Sequence, residues 1–192
     1  MKPLVVVPPA PLLTLDQVKA HVRPDTDEAD DYLRNLVAVA QGQIDGPAGW
    51  LGLSVGPQTL EGRGPSLAAL AGDGEPLPYG PVIEVVSADV IAPDGTTVAV
   101  DPAAFLLADD TLTLAPGRTW PTAAPRPDAA RLRYRAGFPP AGDPPVSTVP
   151  APILQALLVM VALLYENRLG DVDLAGNRTV AGLLAPFRRW GA

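Results

Sequence analysis

The chain has 192 residues, 47% of them apolar, with 24 prolines and 18 glycines; this excludes a disordered chain and leaves room for one domain with a sizeable core or two small lobes joined by many turns. A formal net charge of -7 argues against a general nucleic-acid binder, because phosphate recognition needs a basic footprint, and leaves open a surface that DNA passes without sticking. The absence of cysteine excludes disulfides and thiolate metal sites and fits synthesis in a reducing cytoplasm.

Residues 1–13 read as an extended arm, too short and too proline-rich for a signal peptide. Val5-Val6-Val7 can add a strand to something, and Pro8, Pro9 and Pro11 end regular pairing beyond it. The arm either lies along the surface or contacts a neighbour. Thr14-Leu15-Asp16-Gln17 opens a short helix, with Thr14 as N-cap and Gln17 in the capping-box position; it runs to about Val22 and stops before Pro24. The acids Asp25, Asp27, Glu28, Asp30 and Asp31 gather where a second helix starts, which the helix dipole favours. Apolar residues then recur at Ala29, Tyr32, Leu33, Leu36, Val37, Ala40 and Ile44, the spacing of one buried helical stripe ending near Asp45-Gly46-Pro47.

After Trp50 the character changes. Pro57 to Gly62 reads as a short strand, and 62–80 as loop, punctuated by glycine and proline. Pro81 to Ile91 is strand material, Asp94-Gly95 a hairpin turn, and Thr96 to Val100 the return strand. Phe105-Leu106-Leu107 and Thr111 to Leu114 pair around Asp109-Asp110. Arg131 to Phe138 alternates strictly with period two, as a strand with one buried face does.

A proline-rich connection leads to Val149–Arg168, the most informative stretch. Prolines sit where a helix tolerates them, at its start. The run from Ala156 to Tyr165 is apolar nearly all round, so it must be covered on most sides. Gly170 is the expected stop. The run is shorter than the roughly 18 or more residues of a membrane span, so no membrane is expected. Ile153, Leu157, Leu158, Val161, Leu164 and Tyr165 are the residues expected to form the core or a subunit interface. A last short helix is expected from Thr179 to about Pro186. The fold class that follows is α+β: a small helical bundle, from the N-terminal helices and the long C-terminal helix, carrying a β-rich insertion of antiparallel hairpins. The expected organisation is an arm at 1–13, a helical domain at 14–56 and 139–192, and the insertion at 57–138.

Nothing in the sequence assembles into a catalytic constellation. The one histidine, His21, falls near a helix end, where an exposed histidine is ordinary. The acid cluster at 25–31 lacks the oxygen spacing and turn glycine of a calcium loop, Asp109-Asp110 reads as a turn, and the 62–80 segment has no nucleotide fingerprint. No enzyme activity, metal or cofactor is therefore expected. Arg131, Arg133 and Arg135 share one strand face, either a solvated outer face or a surface toward an acidic partner or DNA. Arg188-Arg189-Trp190 combines cations with a large aromatic, residue types enriched where proteins dock.

Taken together, the segments form a pattern. "LLTLDQVKAHVRPDTDEADDYLRNLVAVAQGQID" (12–45), "PVIEVVSADVIAPDGTTVAVDPAAFLL" (81–107), "RTWP" (118–121), "RLRYRAGF" (131–138) and "VPAPILQALLVMVALLYENR" (149–168) follow one another as they do in the head–tail connector (adaptor) family of long-tailed bacteriophages and gene-transfer particles, which the chain resembles over roughly residues 12–170. The resemblance implies a non-catalytic virion component of the neck, made in the host cytoplasm. It implies a ring, expected to have twelve subunits, below the portal protein, which extends the DNA channel and is a platform for a stopper or tail-terminator protein. Double-stranded DNA would then pass through the lumen without sequence-specific binding. It further implies that the C-terminal segment docks on the portal, which makes Phe187, Arg188, Arg189 and Trp190 the portal-contact candidates. The other reading is a cytoplasmic, non-enzymatic assembly or binding module.

Overall fold

A computed structural model describes residues 1–24, 30–71 and 74–189. The chain begins with strand β1 (Leu4–Val7), followed by helices α1 (Leu15–Val22) and α2 (Asp30–Ile44). Strand β2 (Gln58–Gly64), the short helix α3 (Leu67–Ala71), and strands β3 (Val82–Ile91), β4 (Thr97–Val100), β5 (Phe105–Ala108), β6 (Thr111–Leu114) and β7 (Ala130–Ala136) come next. Helices α4 (Ala151–Glu166) and α5 (Arg178–Leu184) close the chain, with a 3-10 turn at Ala185–Phe187. This is the expected α+β class.

Local chemistry explains the helix ends. The Thr14 hydroxyl accepts from the Gln17 N–H at 3.3 Å and the Gln17 side chain accepts from the Thr14 N–H at 2.9 Å, a complete capping box. Asn177 caps α5 by accepting from the Thr179 and Val180 N–H groups. Helix α4 stops at Glu166, before Gly170; both the N–H and the side-chain amide of Asn167 donate to the Leu163 carbonyl, closing the last turn without a glycine.

Three features depart from the sequence reading. The 62–80 segment is not all loop: β2 continues to Gly64, and Ser66 caps α3 by accepting from the Ala69 N–H at 3.1 Å. The valines of the arm are paired within the chain, because β1 lies antiparallel to β2 as an edge strand. The larger sheet is more than a set of hairpins. Its order is β1-β2-β7-β3-β4, so β7 inserts between two strands distant from it in sequence, while β5 and β6 form a separate pair. The acids Asp25, Asp27 and Glu28 lie outside the described residues.

Buried side chains form two clusters. One joins α1, α2, α4 and α5 and includes Val18, Leu33, Ile44, Ile153, Leu157, Met160, Val161 and Val180. The other lies between one face of the large sheet, α3 and the β5–β6 pair, around Leu60, Leu70, Leu112, Leu132 and Tyr134. Helix α4 packs against α5, α2 and α1, three helices of its own chain, which bury one stripe of it. Ile153, Ala156, Leu157, Met160 and Val161 form its fully buried stripe, while Leu158, Leu164 and Tyr165 are half-buried. Leu157 is therefore core. Leu157→Ala is expected to lower the unfolding free energy by about 2–5 kcal/mol, with Leu158→Ala costing less than half as much; urea denaturation of both variants checks the difference.

Candidate functional site

Among the described residues, no group of three or more His, Asp or Glu side chains is placed to hold a metal ion. His21 is exposed in the last turn of α1. Among the described residues, no helix is long and apolar enough to cross a membrane.

The arginine strand lies where its alternation demands. Arg131, Arg133 and Arg135 point to the outer face of the large sheet, and Leu132, Tyr134 and Ala136 are wholly buried on the other. Tyr134 donates its hydroxyl hydrogen to the Pro78 carbonyl at 2.8 Å, and burial pushes its pKa upward. Two of the three arginines are committed to carboxylates. Arg133 donates to Glu61 at 2.6 Å, and Arg135 reaches Glu84 at 3.4 Å. Glu61 also accepts from Arg63 at 2.8 Å and is only 3% exposed. Burial alone would raise the Glu61 pKa, but Arg133 and then Arg63 outweigh it and hold the carboxyl below its ordinary value. Farther along this face, Arg63, Arg131, Arg126, Asp89 and Asp128 line a charged cleft, in which Arg126 and Asp128 form a bidentate pair at 2.6 and 2.7 Å.

The C-terminal candidates divide. Phe187 is half-buried and packs on the helical cluster. Arg188 is exposed and lines an apolar cleft with Trp50, Leu51, Ala181 and Leu184. Arg189 is tied to the rest of the chain twice: its N–H donates to the Leu51 carbonyl at 2.8 Å, and its guanidinium meets Asp110 at 3.0 Å. Asp110 sits in the β5–β6 turn with φ of 66° and also accepts from the Val82 N–H at 2.6 Å. Trp190 lies outside the described residues. At the other end of α4, Arg168 stacks over Tyr165 at 4.8 Å and Tyr32 at 5.3 Å, a cation–π clamp between α4 and α2.

The sequence reading missed the junction between the two buried clusters. Asp45, at the end of α2, is 8% exposed. Its carboxylate accepts from the Val55 N–H at 2.7 Å, the Gly56 N–H at 3.0 Å, the Gln58 amide at 2.7 Å and the Gln41 amide at 3.1 Å. Gln41 in turn donates to the Ala10 carbonyl and accepts from the Leu12 N–H. Burial pushes the Asp45 carboxyl above its ordinary pKa, and the four donors reduce that shift without cancelling it. The only sequence signal was the acid itself, placed where a helix C-terminus disfavours negative charge.

No family model matches this chain, and no curated protein matches it. Solved structures do resemble it. A chain in the virion of a native gene transfer agent (GTA) particle is 21% identical, covers 100% of this chain and 97% of its own length, and superposes with a TM-score of 0.67. A chain from the neck of a native GTA particle computed with C12 symmetry is 20% identical with the same coverage and a TM-score of 0.67. One from the neck of an empty GTA particle computed with C6 symmetry is 19% identical, covers 98% and 97%, and has a TM-score of 0.66. At these identities the likeness establishes a common fold along nearly the whole of both chains.

The depressed pKa of Glu61 has a testable consequence. A carboxyl held below its unfolded value of 4.5 contributes stability that is complete above that value and is lost as pH falls through the folded one. Glu61→Gln is expected to be less stable than the parent at neutral pH. The gap should narrow steadily below about pH 4.5, as thermal unfolding at stepped pH would show.

Proposed function

We propose that this protein is a structural, non-catalytic component of the neck of a phage-like particle, a connector that assembles as a ring of about twelve copies below the portal. The observation that carries this reading is the fold, shared end to end with chains of GTA virion and neck structures, one of them computed with C12 symmetry. In this reading the helical part at 14–56 and 139–192 and the β-rich insertion at 57–138 are two lobes of one subunit, each with a cluster of its own to hold its shape.

The ring extends the DNA channel and is the platform for a stopper or tail-terminator protein. The chemistry supports passage of DNA over tight binding. The net charge is -7, and a lumen of that sign repels phosphates. Of the sheet arginines, Arg63 and Arg133 share the Glu61 carboxylate and Arg135 meets Glu84, so two carboxylates offset part of the charge that these three arginines present to a phosphate backbone.

The portal-facing element is the C-terminal segment. Phe187 anchors it on the helical cluster, Arg189 fixes its direction through Asp110 and Leu51, and Arg188 is exposed beside the apolar cleft formed with Trp50 and Leu184. An exposed arginine beside an aromatic and an apolar cleft has the composition of a docking hot spot. Deleting residues 186–192 is expected to abolish co-sedimentation of the chain with its cognate portal rings while circular dichroism still shows the α4 helix and the sheet folded. Undiminished binding by the folded, truncated chain would contradict the assignment.

A further inference from the structure

Among the described residues, the large sheet ends in two edge strands, β1 and β4, with no strand paired to the outer side of either. The free N–H and C=O groups of an edge strand invite another strand, and soluble proteins limit this with short strands, charge, proline, bulges or a covering element; β1 has a register shift between Val5 and Val7, and what both edges lack is charge within the strand. Strand β1 reads Leu4-Val5-Val6-Val7, and these side chains are 64%, 43%, 42% and 55% exposed. None of them joins either buried cluster. Even Val5, paired with the wholly buried Leu60, is left uncovered. At the opposite edge, β4 reads Thr97-Val98-Ala99-Val100 with the first three residues exposed. Both strands are four residues long and uncharged. Prolines at 3 and 8 bracket one, while the Asp94-Gly95 turn and Pro102 bracket the other.

We infer that the open edge of β1 pairs with the open edge of β4 on a second copy of this chain, in parallel, so that the sheets of neighbouring subunits run continuously through the interface. The inference rests on the ring reading above and adds the surface that builds the ring. Three observations select this occupant. A contact between two different edges of one molecule is heterologous, the kind that propagates into a closed ring. The flanks are complementary in charge: Lys2 beside β1 is the one ionisable side chain among residues 1–13, and exposed Asp94 and Asp101 flank β4.

Direction supplies the third. Within the sheet every neighbouring pair is antiparallel, so β1 and β4, separated by three strands, run the same way. In a twelve-fold arrangement adjacent copies differ by a rotation of about 30°, which cannot reverse a strand. The β4 of one copy and the β1 of the next must therefore run parallel. Shared over the five strand-to-strand steps of one copy, that rotation is about 6° per step, so a sheet continuous round the ring is flatter than the roughly 20–25° per step of an ordinary twisted sheet. Pairing β1 with β1, or β4 with β4, in antiparallel fashion needs a two-fold axis and ends at a dimer.

The chain has no cysteine, so introduced ones report without background. Leu4, Thr97 and Ala99 lie on the arginine-bearing face of the sheet, Leu4 opposite Glu61, Thr97 opposite Ile91 and Ala99 opposite Asp89. Neighbouring strands sit about 4.8 Å apart, within the span a disulfide bridges. The test is mild oxidation of the purified full-length protein carrying Leu4→Cys with Thr97→Cys, or Leu4→Cys with Ala99→Cys, followed by a non-reducing gel and electron micrographs of the same samples. One of the two double variants is expected to give a ladder of covalent multimers rising to the ring's copy number, while each single variant stays a monomer. Rings in the micrographs without a ladder in either double variant overturn the edge pairing and leave the ring reading standing. Dimers from Leu4→Cys alone overturn it in favour of a two-fold β1 contact. A chain that gives neither rings nor a ladder at the highest attainable concentration overturns both.

Discussion

Much of this structure hangs on one buried carboxylate. Asp45 receives four hydrogen bonds from residues on three segments: Gln41 on α2, Val55 and Gly56 in the following loop, and Gln58 at the start of β2. Through Gln41 it also fixes the arm at Ala10 and Leu12. The relative placement of the helical cluster and the sheet is thus set by an ion that would be costly to bury without these donors. The space around it is correspondingly tight. A side chain at Gly56 would collide with Pro9. Gly137, with φ of 125°, passes so close to the Gly56 backbone that a β-carbon has no room. Because burial raises the Asp45 pKa, this junction has a pH dependence opposite to that of Glu61: it loses stability as pH climbs from 3.8 through the raised value.

From that junction the two clusters divide the work. The helical cluster encloses α4 and carries the C-terminal segment, which Arg189 reconnects to the β-rich part at Asp110. The sheet encloses Tyr134 and Leu132 on one side and offers charge-paired arginines on the other. A molecule built this way presents edges, a tail and a patterned face.

What was legible in the sequence was what is local. The capping box at Thr14 and Gln17, the Asp94-Gly95 turn, the alternation of Arg131 to Ala136 and the proline-started α4 each have their determinants within a few residues. The class and most elements followed from them. What was not legible depends on partners far away in the chain. Arg133 meets Glu61 across 72 positions and Arg189 meets Asp110 across 79, and no periodicity signals either. The strand order, with β7 between β2 and β3, likewise goes with burial of Leu132 and Tyr134 against α3 and the β5–β6 pair. The valines of β1 announced a strand but not its partner. Helix α3 was hidden because glycine and proline surround it; its signal was Ser66 followed by Leu67-Ala68-Ala69-Leu70, too short to outweigh its flanks. The apolar circumference of α4 suggested need for a neighbouring subunit; α1, α2 and α5 bury one stripe of it and leave Leu158, Leu164 and Tyr165 half-buried.

The role proposed for this fold is a ring in a particle neck. Its most direct test is imaging by electron cryomicroscopy, without imposed symmetry, of the purified protein and of particles that contain it, counting copies around the axis. The account predicts a closed ring of about twelve copies on the particle axis between portal and tail. A chain that remains a monomer in solution and is absent from the neck would contradict it.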